Sequence, residues 1–186
     1  IAVIKNFIHS VKRKLIGEDP DLTVMPIFCG TQGTGKSYFM SKLISPFEGF
    51  SAESPMAEAA DERSIELFKY YIVVLDEMFR GDKTEWSQVK KNLTSSKKEA
   101  RVLGTNTRRT QKNNMVTIGG TNLEKSAVVA DETGGRRFYG INFTNDKSDE
   151  IRSKRDEVYE NIGLLWQSVD ENSPSPLLAL KAQLEE

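Results

Sequence analysis

The octapeptide GTQGTGKS, which runs from Gly30 to Ser37, combines residue types whose spacing suits phosphate chemistry. It fits the pattern G-x-x-x-x-G-K-S/T, in which glycines let the backbone turn tightly and point successive N–H groups at phosphate oxygens. Lys36 can then reach the β- and γ-phosphates of ATP, and Ser37 can ligate Mg²⁺. The alternative is a loose surface loop, but the apolar run before the stretch and the helical pattern after it favour a nucleotide cradle. The residues predicted to bind the nucleotide are Gly30, Thr31, Gln32, Gly33, Thr34, Gly35, Lys36, Ser37 and Tyr38.

An acidic pair follows a second apolar run, in the stretch IVVLDE. We expect this run to be a strand that neighbours the one before the loop. Asp76 is predicted to hold Mg²⁺ through water, and Glu77 to polarise the water that attacks the γ-phosphate. Strands commonly end in Asp-Glu for no chemical reason, so this interpretation depends on the loop that precedes it. A glutamate beside the aspartate favours hydrolysis over phosphoryl transfer to a small acceptor.

Two more candidate groups adjoin apolar segments. Asn122 ends the stretch MVTIGGTN, where it serves either turn chemistry or a contact to the γ-phosphate or the attacking water. Arg136 and Arg137 in ETGGRRF are either surface arginines, with Glu132 as a partner for a salt bridge, or an arginine finger for a neighbouring subunit's γ-phosphate. The residues predicted to be catalytic are Lys36, Glu77, Asn122, Arg137 and Arg136.

Basic residues concentrate between Val89 and Lys112, where eight lysines and arginines accompany one acidic residue, Glu99. The stretch carries a net charge of about +7 in a chain whose formal net charge is −1, as is typical of surfaces that bind a nucleic-acid backbone. Its second half predicts a hairpin with a turn at residues 104–106. A solvated polar hairpin without a ligand is the alternative. The residues predicted to contact a nucleic-acid backbone are Arg101, Asn106, Arg108, Arg109 and Lys112, with Lys97 and Lys98 as the fallback site.

These motifs require strands that alternate with helices. Apolar residues at helical spacing predict an amphipathic helix from Ala2 to Ile16 that stops at Gly17. The strands are expected at LTVMPIFC, whose Pro26 suits an edge or an irregularity, and at YYIVVLDE, MVTIGG and RFYGINF. Strands that alternate with helices predict an α/β fold with a central mostly parallel sheet. Further helices are expected from Ser37 to about Ile44, over SPMAEAADERSIELF with Ser54 as N-cap and Pro55 in the first turn, over DKTEWSQVKKNL, and from Ser148 to Val169 with Ile151, Val158, Ile162, Leu165 and Trp166 towards the core.

Length and composition indicate one globular domain with short additions at its ends. The chain has 186 residues, of which 38% are hydrophobic, enough for a substantial core. The predicted parts are an N-terminal helix and linker over residues 1–21, an ATPase core over 22–169, and a C-terminal linker and helix over 170–186. A single cysteine and a single histidine argue against a disulfide framework and a zinc site. No apolar run approaches a bilayer span, so we expect a cytoplasmic protein without a membrane partner, and a start at Ile1 suggests a piece of a longer chain.

Taken in order, the motifs GTQGTGKS, IVVLDE, the basic hairpin, MVTIGGTN and GGRRF resemble those of superfamily 3 helicases. More narrowly, they resemble the helicase domains of phage, plasmid and mobile-element primase-helicases, including the virulence-associated E group. The resemblance covers about residues 22–166. It implies a P-loop NTPase with an AAA+-like three-layer αβα core, flanked by N- and C-terminal helices. It also implies a ring, usually a hexamer, that hydrolyses ATP between subunits, moves along single-stranded DNA, and shares its full-length chain with a primase or polymerase domain.

Position by position, the resemblance assigns the Walker A pair to Lys36 and Ser37, the Walker B pair to Asp76 and Glu77, the polar sensor to Asn122, and the finger to Arg137 or its rival Arg136. There are two departures: GGTN replaces a Thr-Ser-Asn or Thr-Thr-Asn ending, and the hairpin lacks a Lys-His pair. The predicted function is an ATP-dependent DNA helicase motor of a replication protein in a bacterial host cell. The alternatives are a DNA-loading or remodelling ring that does not unwind, and a nucleotide-binding oligomerisation module without turnover.

Overall fold

The computed structural model describes residues 1–61, 65–76, 78, 83–101, 107–123, 137–144 and 148–185, and of Asp76, Lys83, Arg101 and residues 181–185 it describes the backbone alone. The described strands are β1 (Met25–Cys29), β2 (Ser51–Pro55), β3 (Ile72–Asp76), β4 (Lys97–Arg101), β5 (Arg108–Lys112), β6 (Val116–Thr121) and β7 (Phe138–Asn142). The described helices are α1 (Ala2–Leu15), α2 (Lys36–Ile44), α3 (Met56–Ala60), α4 (Lys83–Thr94), α5 (Asp149–Glu160), α6 (Ile162–Gln167) and α7 (Pro176–Glu185), with two 3-10 helices at Ser45–Phe50 and Glu66–Lys69. Within these ranges no helix combines the length and hydropathy that a bilayer crossing requires.

Five strands form the central sheet in the order β2-β3-β6-β1-β7, and every pair in it is parallel. The predicted α/β fold with a mostly parallel sheet is therefore confirmed. Because the strands are parallel, the carboxyl ends of β1, β3 and β6 lie at one edge of the sheet. Strands β4 and β5 form a separate antiparallel pair.

Apolar cores cover both faces of the sheet and make a three-layer αβα domain. One core joins strand residues such as Ile27 and Leu75 to α3 and α4. The other joins Phe28 and Ile118 to α1, α2 and α6. Side chains of a strand alternate between the faces, and strands buried on both faces are continuously apolar, as β1 is in MPIFC.

Helix α1 is amphipathic as predicted. Phe7, Ile8 and Val11 are fully buried against the sheet, and each such side chain stabilises the fold by about 1.5–3 kcal/mol. Gly17 adopts a φ of 88°, which ends the helical segment where the sequence predicts it. Helix α7 packs against α1, and His9 Nε2 donates to the carbonyl of Ser173 in the segment that leads to α7.

The position of Pro26 differs from expectation. Strand β1 is internal, between β6 and β7, so Pro26 does not lie at a sheet edge. Its pairing with β6 begins one residue later, at Ile27 opposite Gly119. The missing N–H of proline therefore falls before this ladder starts, which explains why an internal strand tolerates it.

The helix predicted over SPMAEAADERSIELF with Ser54 as N-cap was wrong at its start, where Ser54 and Pro55 end a strand, and α3 covers only Met56–Ala60 of it. Residues Ser51–Pro55 form β2, which pairs along its whole length with β3, from Ile72 to Asp76. A short helix begins only at Met56, and the Ser54 hydroxyl donates to Glu58 Oε2 instead of capping. The free edge of β3 offers a ladder of hydrogen bonds, and this tertiary pairing outweighs the local preference for a helix.

The long helix predicted from Ser148 to Val169 is two helices, α5 and α6, with Asn161 between them. Ile162 and Trp166 are buried as predicted, and Leu165 is partly buried against the same core. Ile151 and Val158 are exposed, at 42% and 46%, so their prediction as core residues was wrong. Helix α5 contributes no buried side chain, and it contacts the neighbouring helices α2 and α6.

Candidate functional site

The glycine-rich loop joins the carboxyl end of β1 to the first turn of α2. Gly33 and Gly35 adopt left-handed φ values of 81° and 90°, which glycine alone adopts without strain. Gly30, with a φ of 153°, passes so close to the end of β7 that a Cβ atom there would lie 2.4 Å from the carbonyl oxygen of Phe143. The predicted strand, loop and helix are therefore all present, and the spacing of the glycines is required by this backbone path.

Lys36 lies at the centre of the loop and is only 8% exposed. Its Nζ donates to the carbonyl oxygens of Gly30 at 2.6 Å and Thr31 at 2.9 Å. It also lies 3.1 Å from Oδ1 of Asn122 at the tip of β6. An ammonium group has three protons, so these three oxygens can satisfy it and hold the cation in place beneath the loop.

The sheet brings Asn122 to the loop although the two are far apart in sequence. Strand β6 pairs directly with β1, with Thr121 opposite Cys29, and the Gly30 N–H donates to the Thr121 carbonyl at 3.3 Å. A cleft of about 320 Å³ opens between the loop and this strand end. The cleft is lined by Gln32, Gly33, Gly35, Lys36, Ser37, Tyr38, Gly120, Thr121 and Asn122. Five of these were predicted to bind nucleotide besides Lys36, whereas Gly120 and Thr121 lie in the quoted stretch MVTIGGTN but were not predicted as site residues.

Asp76 is the last residue of β3, and its backbone pairs with Pro55 of β2. Strand β6 lies between β3 and β1, so β3 is not the direct neighbour of the loop strand that the sequence suggested. Because two strand spacings of about 4.8 Å separate β3 from β1, the end of β3 lies about 10 Å from the end of β1. The side chain of Asp76 and the whole of Glu77 lie outside the described residues, so their predicted roles stay predictions.

Arg137 lies at the opposite edge of the sheet from the loop. Its carbonyl accepts a hydrogen bond of 2.7 Å from the N–H of Met25, where β1 begins. Strand β1 has five residues, so Arg137 is separated from the loop by roughly 16 Å of strand. It lines a second cleft of about 400 Å³ together with Lys14, Asp21 and Ser95. Arg136 lies outside the described residues.

The basic hairpin is present as an antiparallel pair, with Lys97 opposite Lys112 and Arg101 opposite Arg108. Like charges directly opposite each other are unfavourable, and an anion between them relieves the repulsion. Arg108 is exposed, and no described residue pairs with its guanidinium group. The predicted turn, including Asn106, and the side chain of Arg101 lie outside the described residues.

Two other hairpin cations already have partners within the chain. Arg109 Nη1 lies 3.0 Å from Oε1 of Glu66, and Lys112 Nζ donates to the carbonyl of Gly17 at 2.7 Å. A hydrogen bond from Lys69, with the charges of Lys69 and Arg109, holds the pKa of the Glu66 carboxyl below its ordinary value. These exposed contacts are weak, so they can give way to a phosphate.

By its fold and its site, this protein is an αβα domain with a parallel sheet and a glycine-rich loop at the carboxyl edge of that sheet. The chain matches the virulence-associated protein E-like domain over residues 2–183, and it belongs to that family. This confirms the resemblance to the virulence-associated E group. No curated protein matches the chain.

Solved structures of the NrS-1 C-terminal region share the fold. Two apo structures of the region, one of them an A form, align over 91% of this chain at 20% identity, with TM-scores of 0.65 and 0.61. Another A form apo structure aligns over 94% at 18% identity, with a TM-score of 0.63. The chain spans about two fifths of those chains, 41–42%.

Proposed function

We propose that this domain is the ATP-driven motor of a replication protein, of the superfamily 3 type, acting on single-stranded DNA. Membership of the virulence-associated protein E-like family supports a role in replication. The observation that carries the proposal is the convergence of Lys36 and Asn122 in the cleft beside the glycine-rich loop. A buried cation and an amide on the next strand are two of the groups that can contact a γ-phosphate at this position.

In the proposed reaction, ATP binds in the cleft with its phosphates on the loop and the first turn of α2. Lys36 leaves the carbonyls of Gly30 and Thr31 and neutralises the β- and γ-phosphates. Ser37 and Asp76 hold Mg²⁺, and Glu77 polarises the attacking water. Asn122 changes partner from the Lys36 ammonium to the γ-phosphate or this water.

The finger is proposed to act between subunits. With roughly 16 Å of strand between Arg137 and the loop, this side chain is too short to reach the γ-phosphate of its own subunit. A second copy of the chain that presents its amino-edge surface to this cleft supplies the missing cation. A homo-oligomeric ring, with Arg136 as the rival finger, meets this requirement.

The hairpin β4–β5 is proposed to grip the DNA backbone through Arg108, Arg109 and Lys112. Strand β6, which is followed directly by Asn122, begins four residues after β5 ends. Asn113 between them is 1% exposed and donates to the carbonyls of Asn92 and Ser95, so it ties the hairpin base to the end of α4. A change at Asn122 on ATP binding can therefore pass along β6 to the hairpin.

One observation favours a second candidate, a ring ATPase that loads or remodels without unwinding. Arg109 and Lys112 are engaged with Glu66 and Gly17, which leaves Arg108 as the described hairpin cation without a partner. In that case a protein partner stimulates ATP hydrolysis more than DNA does.

The test is steady-state ATP hydrolysis by the full-length protein with and without single-stranded DNA, beside the Lys36→Ala variant. We expect DNA to stimulate hydrolysis and Lys36→Ala to abolish it, while circular dichroism shows the fold intact. Hydrolysis at the wild-type rate in Lys36→Ala rules out the assigned cradle. Hydrolysis that requires Lys36 but ignores DNA favours the second candidate.

A further inference from the structure

The order of the strands in the sheet determines towards which helices the base of a bound nucleotide extends. This inference rests on the proposed function. The groups proposed to act on the γ-phosphate lie on β6 and β3, to one side of β1. Strand β7 lies on the other side of β1, and α5 follows it in the chain and contacts α2. With its γ-phosphate towards Asn122, a nucleotide on the loop extends its base away from β6, towards α2 and α5.

Two tyrosines meet where α2 and α5 are in contact. Tyr38, one residue after Ser37, lines the cleft and is 56% exposed. Its ring packs edge-to-face on that of Tyr159 from α5, with centroids 5.2 Å apart and an interplanar angle of 79°. Lys42 Nζ lies 5.5 Å from the centroid of Tyr38.

The ring of Tyr159 in turn packs against an aromatic cluster of the core. Its ring lies 6.3 Å from that of Phe39, which packs against Phe28 and Phe143. Burial raises the pKa of the Tyr159 phenol, which stays neutral at physiological pH. Tyr38 therefore has a supported ring at the mouth of the cleft, although so exposed a ring contributes little to the core.

We propose that Tyr38 is the platform on which the base of the bound nucleoside triphosphate stacks, and that Tyr159 positions it. Every base has a π-face, so a stacking platform accepts different bases without reading their edges. We expect purine triphosphates to bind better than pyrimidine triphosphates, because a larger ring system covers more of Tyr38. ATP is then the main nucleotide through its abundance more than through strict selection by this site.

The test compares nucleotides with a ligand that has phosphates but no base. Binding of ATP, GTP, CTP and inorganic tripolyphosphate, each with Mg²⁺, is measured by calorimetry on the full-length protein and on Tyr38→Ala. Loss of base stacking is expected to weaken ATP and GTP binding about 5- to 140-fold and to leave tripolyphosphate binding within twofold. Tyr38→Phe keeps the ring and should recover most of the loss. Tyr70→Ala, an exposed tyrosine at the opposite edge of the sheet, is the matched control.

The role of Tyr159 has its own readout. Tyr159→Ala should raise the KM for ATP several-fold with little change in kcat, because it disturbs the base end and not the phosphate end. Tyr159→Phe should restore the KM, whereas a general loss of stability lowers kcat and tripolyphosphate binding as well.

Three results overturn or separate the proposals. Unchanged ATP binding in Tyr38→Ala, in a protein that still hydrolyses ATP, overturns the base platform alone. Equal weakening of ATP and tripolyphosphate also overturns it, since the defect then lies at the phosphates. A wild-type protein that binds neither ligand with Mg²⁺ contradicts the proposed function itself.

Discussion

Substitution of Gly30 by alanine tests whether the glycine-rich loop owes its path to the contact with the end of β7. A Cβ at this position would lie 2.4 Å from the Phe143 carbonyl oxygen, well inside the 3.0 Å that real Cβ contacts respect. Either the loop or the end of β7 must therefore move by more than half an ångström. The Phe143 N–H donates to the carbonyl oxygen of Cys29 at 2.7 Å, so such a movement also strains the pairing of β1 with β7.

The cost follows from two effects. A residue with a side chain at a φ of 153° pays about 1–3 kcal/mol of backbone strain, and the overlap adds about 1–3 kcal/mol. A loss of about 2–6 kcal/mol lowers the melting temperature of a domain of this size by roughly 4–24 °C. Because the Gly30 carbonyl also accepts from Lys36, displacement of the loop should reduce ATP turnover by about 100-fold.

The assay is thermal unfolding followed by circular dichroism, together with ATP hydrolysis on the same samples. Gly163→Ala in α6 is the matched control, because its added Cβ would meet nothing within 4 Å. In a helix this change should be neutral or stabilising by up to about 1 kcal/mol. The reasoning is refuted if Gly30→Ala melts within 2 °C of Gly163→Ala and hydrolyses ATP normally.

Three further predictions address the chemistry and the assembly. Glu77→Gln should keep Mg²⁺-ATP binding in titrations but lose hydrolysis, and lost binding would give Glu77 a metal or structural role instead. Changing Arg108 and Arg109 to alanine should weaken binding to single-stranded DNA of any sequence. The slope of log K against log salt should fall in magnitude by ~0.7 for each phosphate contact that is lost. If the slope is unchanged, the DNA site lies instead at Lys97 and Lys98. Arg137→Ala should bind ATP yet lose hydrolysis by about 10³–10⁵-fold, and mixing it with Lys36→Ala protein should restore part of the activity. The shared site is rejected if both variants assemble, their mixture stays inactive, and Arg136→Ala gives the same result.

Several elements could be predicted because their signal is local. The spacing of Phe7, Ile8 and Val11 is sufficient for α1, and the β-branched run before Asp76 is sufficient for β3. The glycine spacing likewise predicts the loop, because only glycine adopts the φ values it requires at Gly33 and Gly35. These features depend on the residues themselves and on their nearest neighbours in the chain.

Other features were decided by partners that are distant in sequence. Residues Ser51–Pro55 become a strand because β3 offers an edge to pair with, and Val158 is exposed because other helices already cover the sheet.

The candidate site divides in the same way between sequence and tertiary structure. The motifs identified Lys36 and Asn122 separately, but only the pairing of β6 with β1 brings their side chains to 3.1 Å. Tyr159 carries no motif, since its relation to Tyr38 exists only where α5 meets α2. Local chemistry thus determined which residues could bind phosphate, whereas strand order and helix packing decided which of them meet.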